Sequence, residues 1–501
     1  MHLSRQGSTY TARLHRHSAR MEVFSMKQYE TVIGLEVHVE LATKTKIFCS
    51  CPTEFGGAPN SHTCPVCTGM PGSLPVLNKK VVEYAVAVGL ATNCHITRNC
   101  KFDRKNYFYP DNPQNYQISQ LYYPICRDGG IGISTEDGGT KTIRIHEIHM
   151  EEDAGKLVHD EWGENSLIDF NRSGVPLIEI VSEPDMRSAD EVIAYLDKLR
   201  LIIQYLGASD CKLQEGSMRA DVNLSVREAG TEEFGTRTEM KNLNSFKAIT
   251  RAVEAERERQ IDIIESGGKV VQETRRWDDN KEYSYAMRSK EDAQDYRYFP
   301  EPDLAPVVIS DEWLAKIKAA QPEFRDEKLK RYKEEYKIPE YDAQIITEDK
   351  HLADIFEETT AICNNPKKVS NWLMVETMRL MKESGIEPGG LKFSPENLAK
   401  LIDLAETRKI NSQTAKEVFE KVFYDNIDPV KYVKENGLET VSDNGALRET
   451  IKKVIEANPQ PVEDYHNGKK KALGFLTGQI MKEMKGKADP AMANEILKEL
   501  L

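Results

Sequence analysis

No apolar stretch in this chain approaches the length of a membrane span, which leaves no candidate for a helical crossing, and a cytoplasmic location is the expectation. Internal repeats and low-complexity tracts are absent. The phosphate-cradling loop G-x-x-x-x-G-K-[S/T] is also missing. Gly129-Gly-Ile-Gly132 and Gly138-Gly139 lack the lysine that should follow and read as hairpin turns, so any nucleotide must be held by a sheet face and a metal. Cysteines number nine, an odd count with four in one cluster, which fits a reducing compartment and a metal site better than a disulfide framework. A net charge of -13 excludes blanket binding to nucleic acid, although a local basic surface can still bind it. Acidic residues are missing before Glu22, and Arg5, Arg13, Arg16 and Arg20 stand there without an apolar core of the secretory kind. Residues 1–27 therefore read as a transit-like leader or an upstream mis-start, expected to be disordered, with Met21 and Met26 close ahead of the first strand.

What is present begins with Thr31–Leu41. Ile33, Leu35, Val37, Val39 and Leu41 alternate with Glu36, His38 and Glu40, the period of a half-buried strand. Glu, His and Glu on one face either form a solvated surface or supply the fixed oxygen ligands and imidazole that a divalent cation needs. Arg219–Arg227 alternates in the same way, and Arg237, Glu239 and Lys241 do so in the next strand. Glu179 interrupts the apolar run Pro176–Val181, where a carboxylate must be paired, hydrogen-bonded or metal-bound. Glu151 stands in an acidic run, His149-Met-Glu-Glu-Asp153, whose other acids Glu152 and Asp153 read as solvated. Glu36, His38, Glu151 and Glu179, with Glu239 as a further candidate, are the expected ligands of Mg²⁺.

Cys49-Ser-Cys51 and Cys64-Pro-Val-Cys67 are two close pairs joined by a Gly- and Pro-bearing loop. The spacing predicts a structural, closed tetrahedral Zn²⁺ site within a knuckle at 49–67, with His62 as a spare ligand. Two aromatic segments, Lys101–Asp111 and Asp295–Pro302, offer rings for stacking bases or for packing loops. Candidate nucleotide contacts are Arg104, Lys105 and Tyr107, with Arg219, Glu239 and Lys241 on the neighbouring strands.

The predicted fold is α+β. A large, mostly antiparallel sheet carries one apolar face on helices and one open polar face, and the chain turns helical after about residue 320. Ser245 and Ser394-Pro395 are helix-start signals. Near the end, Lys469, Lys470, Lys471, Lys482 and Lys485 decorate an amphipathic helix, which serves either solubility or contact with an RNA backbone.

Six segments carry a specific likeness: Val32–Leu41, Lys101–Asp111, His149–Lys156, Pro176–Asp185, Lys241–Phe246 and Asp295–Asp303. In order and spacing, from about residue 28 to the end, the chain resembles the B subunit of the aspartyl/glutamyl-tRNA(Asn/Gln) amidotransferase. The resemblance implies a cradle (kinase/transamidase) domain at 28–318, a helical domain at 319–430 and a tRNA-contacting tail at 431–501. It implies a carbon–nitrogen ligase that uses ATP and Mg²⁺ to phosphorylate the side-chain carboxylate of Glu-tRNA(Gln) or Asp-tRNA(Asn). Ammonia released from glutamine by an amidase partner, the A subunit, then displaces phosphate, and a small C subunit completes a heterotrimer. The family's Mg²⁺ and phosphoryl-transfer positions fall on Glu36, His38, Glu151 and Glu179. The four cysteines resemble its zinc-containing branch. The competing expectation is a noncatalytic, zinc-stabilised tRNA-binding scaffold. A two-carboxylate glycosidase is a third, with no place for the knuckle or the lysine helix.

Overall fold

A computed structural model describes residues 28–159, 165–289, 295–440, 444–469, 471–484, 488 and 490–501. The sequence-predicted leader lies outside them. Among the described residues no helix is long and apolar enough to cross a membrane.

Nine strands form the main sheet: β1 (Tyr29–Glu40), β2 (His95–Ile96), β3 (Cys126–Ser134), β4 (Thr140–Glu152), β5 (Pro176–Ser182), β6 (Met218–Glu228), β7 (Thr238–Lys241), β8 (Glu273–Asp278) and β9 (Tyr283–Ser289). Their order is β9-β8-β7-β6-β1-β5-β4-β3-β2. Every neighbouring pair is antiparallel except β7 and β8. The strand with the cleanest alternation, β1, thus sits at the centre, paired on both sides, where its side chains are least free to move. Its apolar set, Ile33, Leu35, Val37 and Val39, is fully buried. Helices α1 (Lys79–Ala91), α2 (Ala189–Tyr205) and α3 (Phe246–Glu265) cover this face. Each enclosed Val, Leu or Ile contributes about 1.5–3 kcal/mol relative to exposure.

The helix starts follow their caps. Ser245 Oγ accepts from the Ala248 N–H and Ser394 Oγ from the Asn397 N–H, with Pro395 at the first helical position. Inside α3, Glu256 is buried yet fully partnered. It accepts from Thr238 Oγ1 (2.8 Å), Gln260 Nε2 (2.9 Å) and both Arg259 donors, and Arg275 lies 3.5 Å away. Burial alone would raise this carboxyl, but the donors outweigh it and hold it below the ordinary glutamate range.

One expectation fails. Gly138-Gly139 does lie in the β3–β4 turn, but Gly129–Gly132 lies inside β3. The reason is close packing. A Cβ on Gly129 would stand 2.2 Å from Cys94 Sγ and 2.8 Å from the Thr92 carbonyl oxygen. Glycine here admits the end of α1 against the strand.

Beyond the sheet, a second apolar cluster gathers Tyr332, Phe356, Leu398 and Phe419 from helices between Arg325 and Glu435. A third gathers Leu447, Ile451, Leu476 and Leu497 from the last helices.

Candidate functional site

The polar face of the sheet is built by register. His38 stands opposite Glu179 on β5, and Glu179 opposite His149 on β4. One pleat away, Leu177 separates Glu40 from Glu151. His38 Nε2 lies 3.4 Å from both Glu151 Oε1 and Glu179 Oε2. Their ligand atoms fall within 4.8 Å of one another, so His38, Glu151 and Glu179 form one triad.

Glu36 does not join it. It faces Asp221 on β6, and with Glu239 on β7 these make a second triad, also within 4.8 Å. The four residues expected to share one ion are therefore divided between two clusters on one face. The division follows from the two-residue step along β1, roughly 6.7 Å. The second cluster already contains a cation, because Lys241 Nζ contacts Asp221 and lies 2.7 Å from Glu239. Asn223 donates to Glu36 (2.9 Å) and Thr274 to Glu239 (2.7 Å).

The charges differ accordingly. Glu36 is pushed up by burial and by the nearby Glu179 carboxylate. Burial works against the charged form of Glu179 too, but His149 and His38 outweigh it and hold Glu179 well below the usual range. Burial pulls the His149 imidazole down, and Glu179 with Glu151 more than compensates, carrying it to about 10.

His149 is the residue that the sequence reading missed. Its Nε2 stands 2.9 Å from Glu179 Oε2 and 3.8 Å from Glu151 Oε2. A signal existed. Ile143 and Ile145 point inward, and then Ile148 and Met150 do, a slip of one residue that matches the irregular register beside Val181. That slip turns Glu147, His149 and Glu151 to the polar side. Glu152 and Asp153, expected to be solvated, are buried. Glu152 accepts from Gln114 (2.6 Å) and the Ile118 N–H (3.0 Å), and burial pushes it to about 8. Asp153 pairs with Arg219 at 2.8 Å and Arg172 at 3.4 Å.

The two aromatic segments meet in a small sheet. Asp103–Asn106 lies between Tyr116–Ser119 and Phe299–Pro300. Tyr298 packs edge-on to Tyr296 at 6.1 Å, and burial raises its hydroxyl, with Tyr296, Glu151 and Glu179 adding to the rise. Tyr107 packs edge-on to Tyr296 at 6.3 Å. Two candidate cations are committed within this layer. Arg104 makes a two-pronged pair with Glu301 (2.6 and 2.9 Å), contacts Asp303 (3.0 Å) and lies 4.1 Å from the Tyr116 ring centre. Lys105 sits 4.9 Å over the Tyr296 ring. A cavity of about 960 Å³ opens beside the triads, lined by Glu40, Lys156, Arg172, Arg219, Asp221 and Asn242.

Cys49, Cys51, Cys64 and Cys67 come together with sulfurs within 4.8 Å, while His62 stays outside the group. The Cys64 and Cys67 sulfurs are 3.9 Å apart, close to the roughly 3.8 Å edge of a tetrahedron with 2.3 Å metal–sulfur bonds. The Cys64 N–H donates to Cys67 Sγ at 3.2 Å. The Cys49 thiol and the Lys46 ammonium hold Cys67 low, at about 4, against burial. The donor set fits a closed zinc site. Two carboxylates and an imidazole in the first triad fit a hard divalent ion that keeps positions for water or phosphate.

Of the candidate tail lysines, Lys469 pairs with Asp464 at 2.9 Å, and Lys471 and Lys482 are exposed on the helix surface. Lys470 and Lys485 lie outside the described residues.

The GatB/GatE catalytic domain family matches residues 31–315, and the GatB domain family matches residues 354–501. A relative from Agathobacter rectalis, named as the B subunit of aspartyl/glutamyl-tRNA(Asn/Gln) amidotransferase, is 74% identical over 476 residues, covering 95% of this chain and 100% of that protein. One of the same name from Caldicellulosiruptor bescii is 58% identical over 477 residues, covering 95% and 99%. With a nine-stranded sheet carrying two acidic triads and a four-cysteine knuckle beside it, the chain belongs to the family of aspartyl/glutamyl-tRNA(Asn/Gln) amidotransferase B subunits.

Proposed function

We propose that this chain is the ATP- and Mg²⁺-dependent kinase-transamidase of a tRNA-dependent amidotransferase, a carbon–nitrogen ligase that takes its nitrogen from glutamine. The observation that carries the reading is the convergence of His38, Glu151 and Glu179 from three adjacent strands on the polar face. Uncatalysed, ammonia cannot displace oxide from a carboxylate. The misacylated residue's side-chain oxygen therefore attacks the γ-phosphorus of ATP, and ADP leaves. Ammonia nitrogen next attacks the acyl carbon, phosphate departs with the bonding electrons, and a proton from nitrogen passes to it. Mg²⁺, held by His38, Glu151 and Glu179, would screen the approaching anions. Glu36 borders the same face, and Lys241 in its cluster would be the cation that meets the phosphates. Arg219 lines the cavity, whereas Arg104 and Lys105 serve the aromatic layer. No nucleophilic side chain is needed, so no covalent enzyme intermediate is expected.

The 28–318 segment would be the cradle, 319–430 the helical domain and 431–501 the tail. Zn²⁺ at Cys49, Cys51, Cys64 and Cys67 would be structural, and the tail lysines would meet the tRNA backbone. An amidase A subunit supplying ammonia and a small C subunit would complete a cytoplasmic heterotrimer. Neutralising Lys471 and Lys482 together should weaken tRNA binding, with a reduced salt dependence.

The test is co-expression with the amidase partner, followed by assay of glutamine-, ATP- and misacylated-tRNA-dependent amidated tRNA. Formation of the amide that vanishes without ATP supports the reading. Tight tRNA binding with no ATP-dependent amide would replace it with the noncatalytic scaffold.

A further inference from the structure

We infer that His149 is a positioning residue for the ion site, fixing which oxygen of Glu179 is left to a divalent cation. The inference rests on the function proposed above and adds a residue that does not itself touch substrate or metal. His149, on β4, is 8% exposed and stands opposite Glu179 on β5. Its Nε2 is 2.9 Å from Glu179 Oε2, the same oxygen that His38 Nε2 approaches at 3.4 Å. Both imidazoles thus engage one oxygen. Oε2 is the carboxylate oxygen of Glu179 nearest to each imidazole, and Oε1 is the atom the inference assigns to a cation.

The other ring nitrogen sharpens the argument. His149 Nδ1 is buried with no hydrogen-bond partner, and the closest carboxylate oxygen to it, on Glu147, stands 3.8 Å away. A histidine kept only for packing would cost the fold less as an apolar residue, since an orphaned buried polar nitrogen is penalised. What compensates is the contact made by Nε2. Glu147, His149, Glu179, His38 and Glu151 form a file of alternating carboxylates and imidazoles across β4, β5 and β1, with steps of 3.8, 2.9, 3.4 and 3.4 Å. A carboxylate whose second oxygen is pinned presents its first in one orientation, and loss of such an outer contact typically costs about 10–100-fold in metal affinity.

The experiment titrates Mn²⁺, a paramagnetic stand-in for Mg²⁺, into the co-expressed full-length complex without nucleotide. Wild type, His149→Phe, His149→Gln and Glu179→Gln are compared. His149→Phe preserves bulk, and His149→Gln retains a donor at similar reach. The expected result is an about 10–100-fold weaker Mn²⁺ affinity for His149→Phe at an unchanged melting temperature, with His149→Gln restored to within about threefold. The Mg²⁺ concentration for half-maximal amidation should move in parallel, with maximal rate at saturating Mg²⁺ much less changed. Wild-type affinity in His149→Phe overturns the inference. So does a loss that His149→Gln fails to restore, or one that tracks a fall in melting temperature. If Mn²⁺ binds wild type and Glu179→Gln alike, the ion site itself is wrong and the proposed function's metal assignment falls with the inference.

Discussion

Glu36 and His38 are successive residues on the same face of β1, yet each joins a different cluster. Around His38 the charge of Glu151 and Glu179 is met by two imidazoles, bulky rings whose nitrogens approach from fixed directions. Around Glu36 the charge of Asp221 and Glu239 is met by the Lys241 ammonium, a compact cation in contact with both acids. The first arrangement orients its carboxylates from the side, because the charged His149 ring stands outside the His38, Glu151 and Glu179 ligand set. The second supplies its own cation. An acidic cluster is therefore a cation site only to the extent that its own neighbours have not already filled that role.

The sharpest way to break this contrast is to neutralise one acid in each cluster. Glu151→Gln or Glu179→Gln should lower ATP-dependent amidation by about 10²-fold or more, with misacylated-tRNA binding retained. Glu239→Gln should cost less than about tenfold in the same assay. Equal losses at all three positions would erase the distinction. Lys241→Met tests the other half. With its internal cation gone, the second triad should take up one additional Mn²⁺ per chain, read as a rise in stoichiometry in a direct titration. An unchanged stoichiometry would mean that the lysine does not occupy a cation's place.

The smallest expected change in activity lies behind the second triad. Glu256 binds Thr238 on β7 and faces Arg275 on β8, the strands that carry Glu239, Lys241 and Thr274. Glu256→Gln leaves Arg259 and Arg275 without their buried anion and should cost about 3 kcal/mol in denaturant unfolding at neutral pH. Because the folded state holds this carboxyl below its ordinary range, its contribution is present above the unfolded value and is lost as pH falls through the folded one. The gap between wild type and variant should therefore shrink below about pH 4.5, its ordinary value. A gap that persists in acid would assign the cost to packing and not to charge.

Strand β1 was readable from the chain because its apolar and polar residues alternate without a slip, and the cysteine knuckle because its ligands lie close in sequence. What could not be read was which acid faces which. That depends on pairing between strands far apart in the chain, such as Glu36 with Asp221, and one-residue slips in it exchange faces. The glycines of β3 misled for a related reason, since the crowding that requires Gly129 comes from the end of α1 rather than from its own neighbours. His149 was hidden by a bulge that breaks the alternation just ahead of it.

Lys46 is wholly enclosed, and its ammonium donates to the carbonyl oxygens of His62 and Phe170 at 2.8 and 3.2 Å. Asn171 Oδ1 accepts from the His62 N–H (2.8 Å), and Ser173 Oγ donates to the Cys67 carbonyl oxygen (2.9 Å). The sulfur loop is thereby stitched to the stretch bearing Asp169, Asn171 and Arg172, which wall the large cavity. Any displacement of those thiols would therefore be transmitted to the cleft wall through these hydrogen bonds, while the nine-stranded sheet keeps its own pairing.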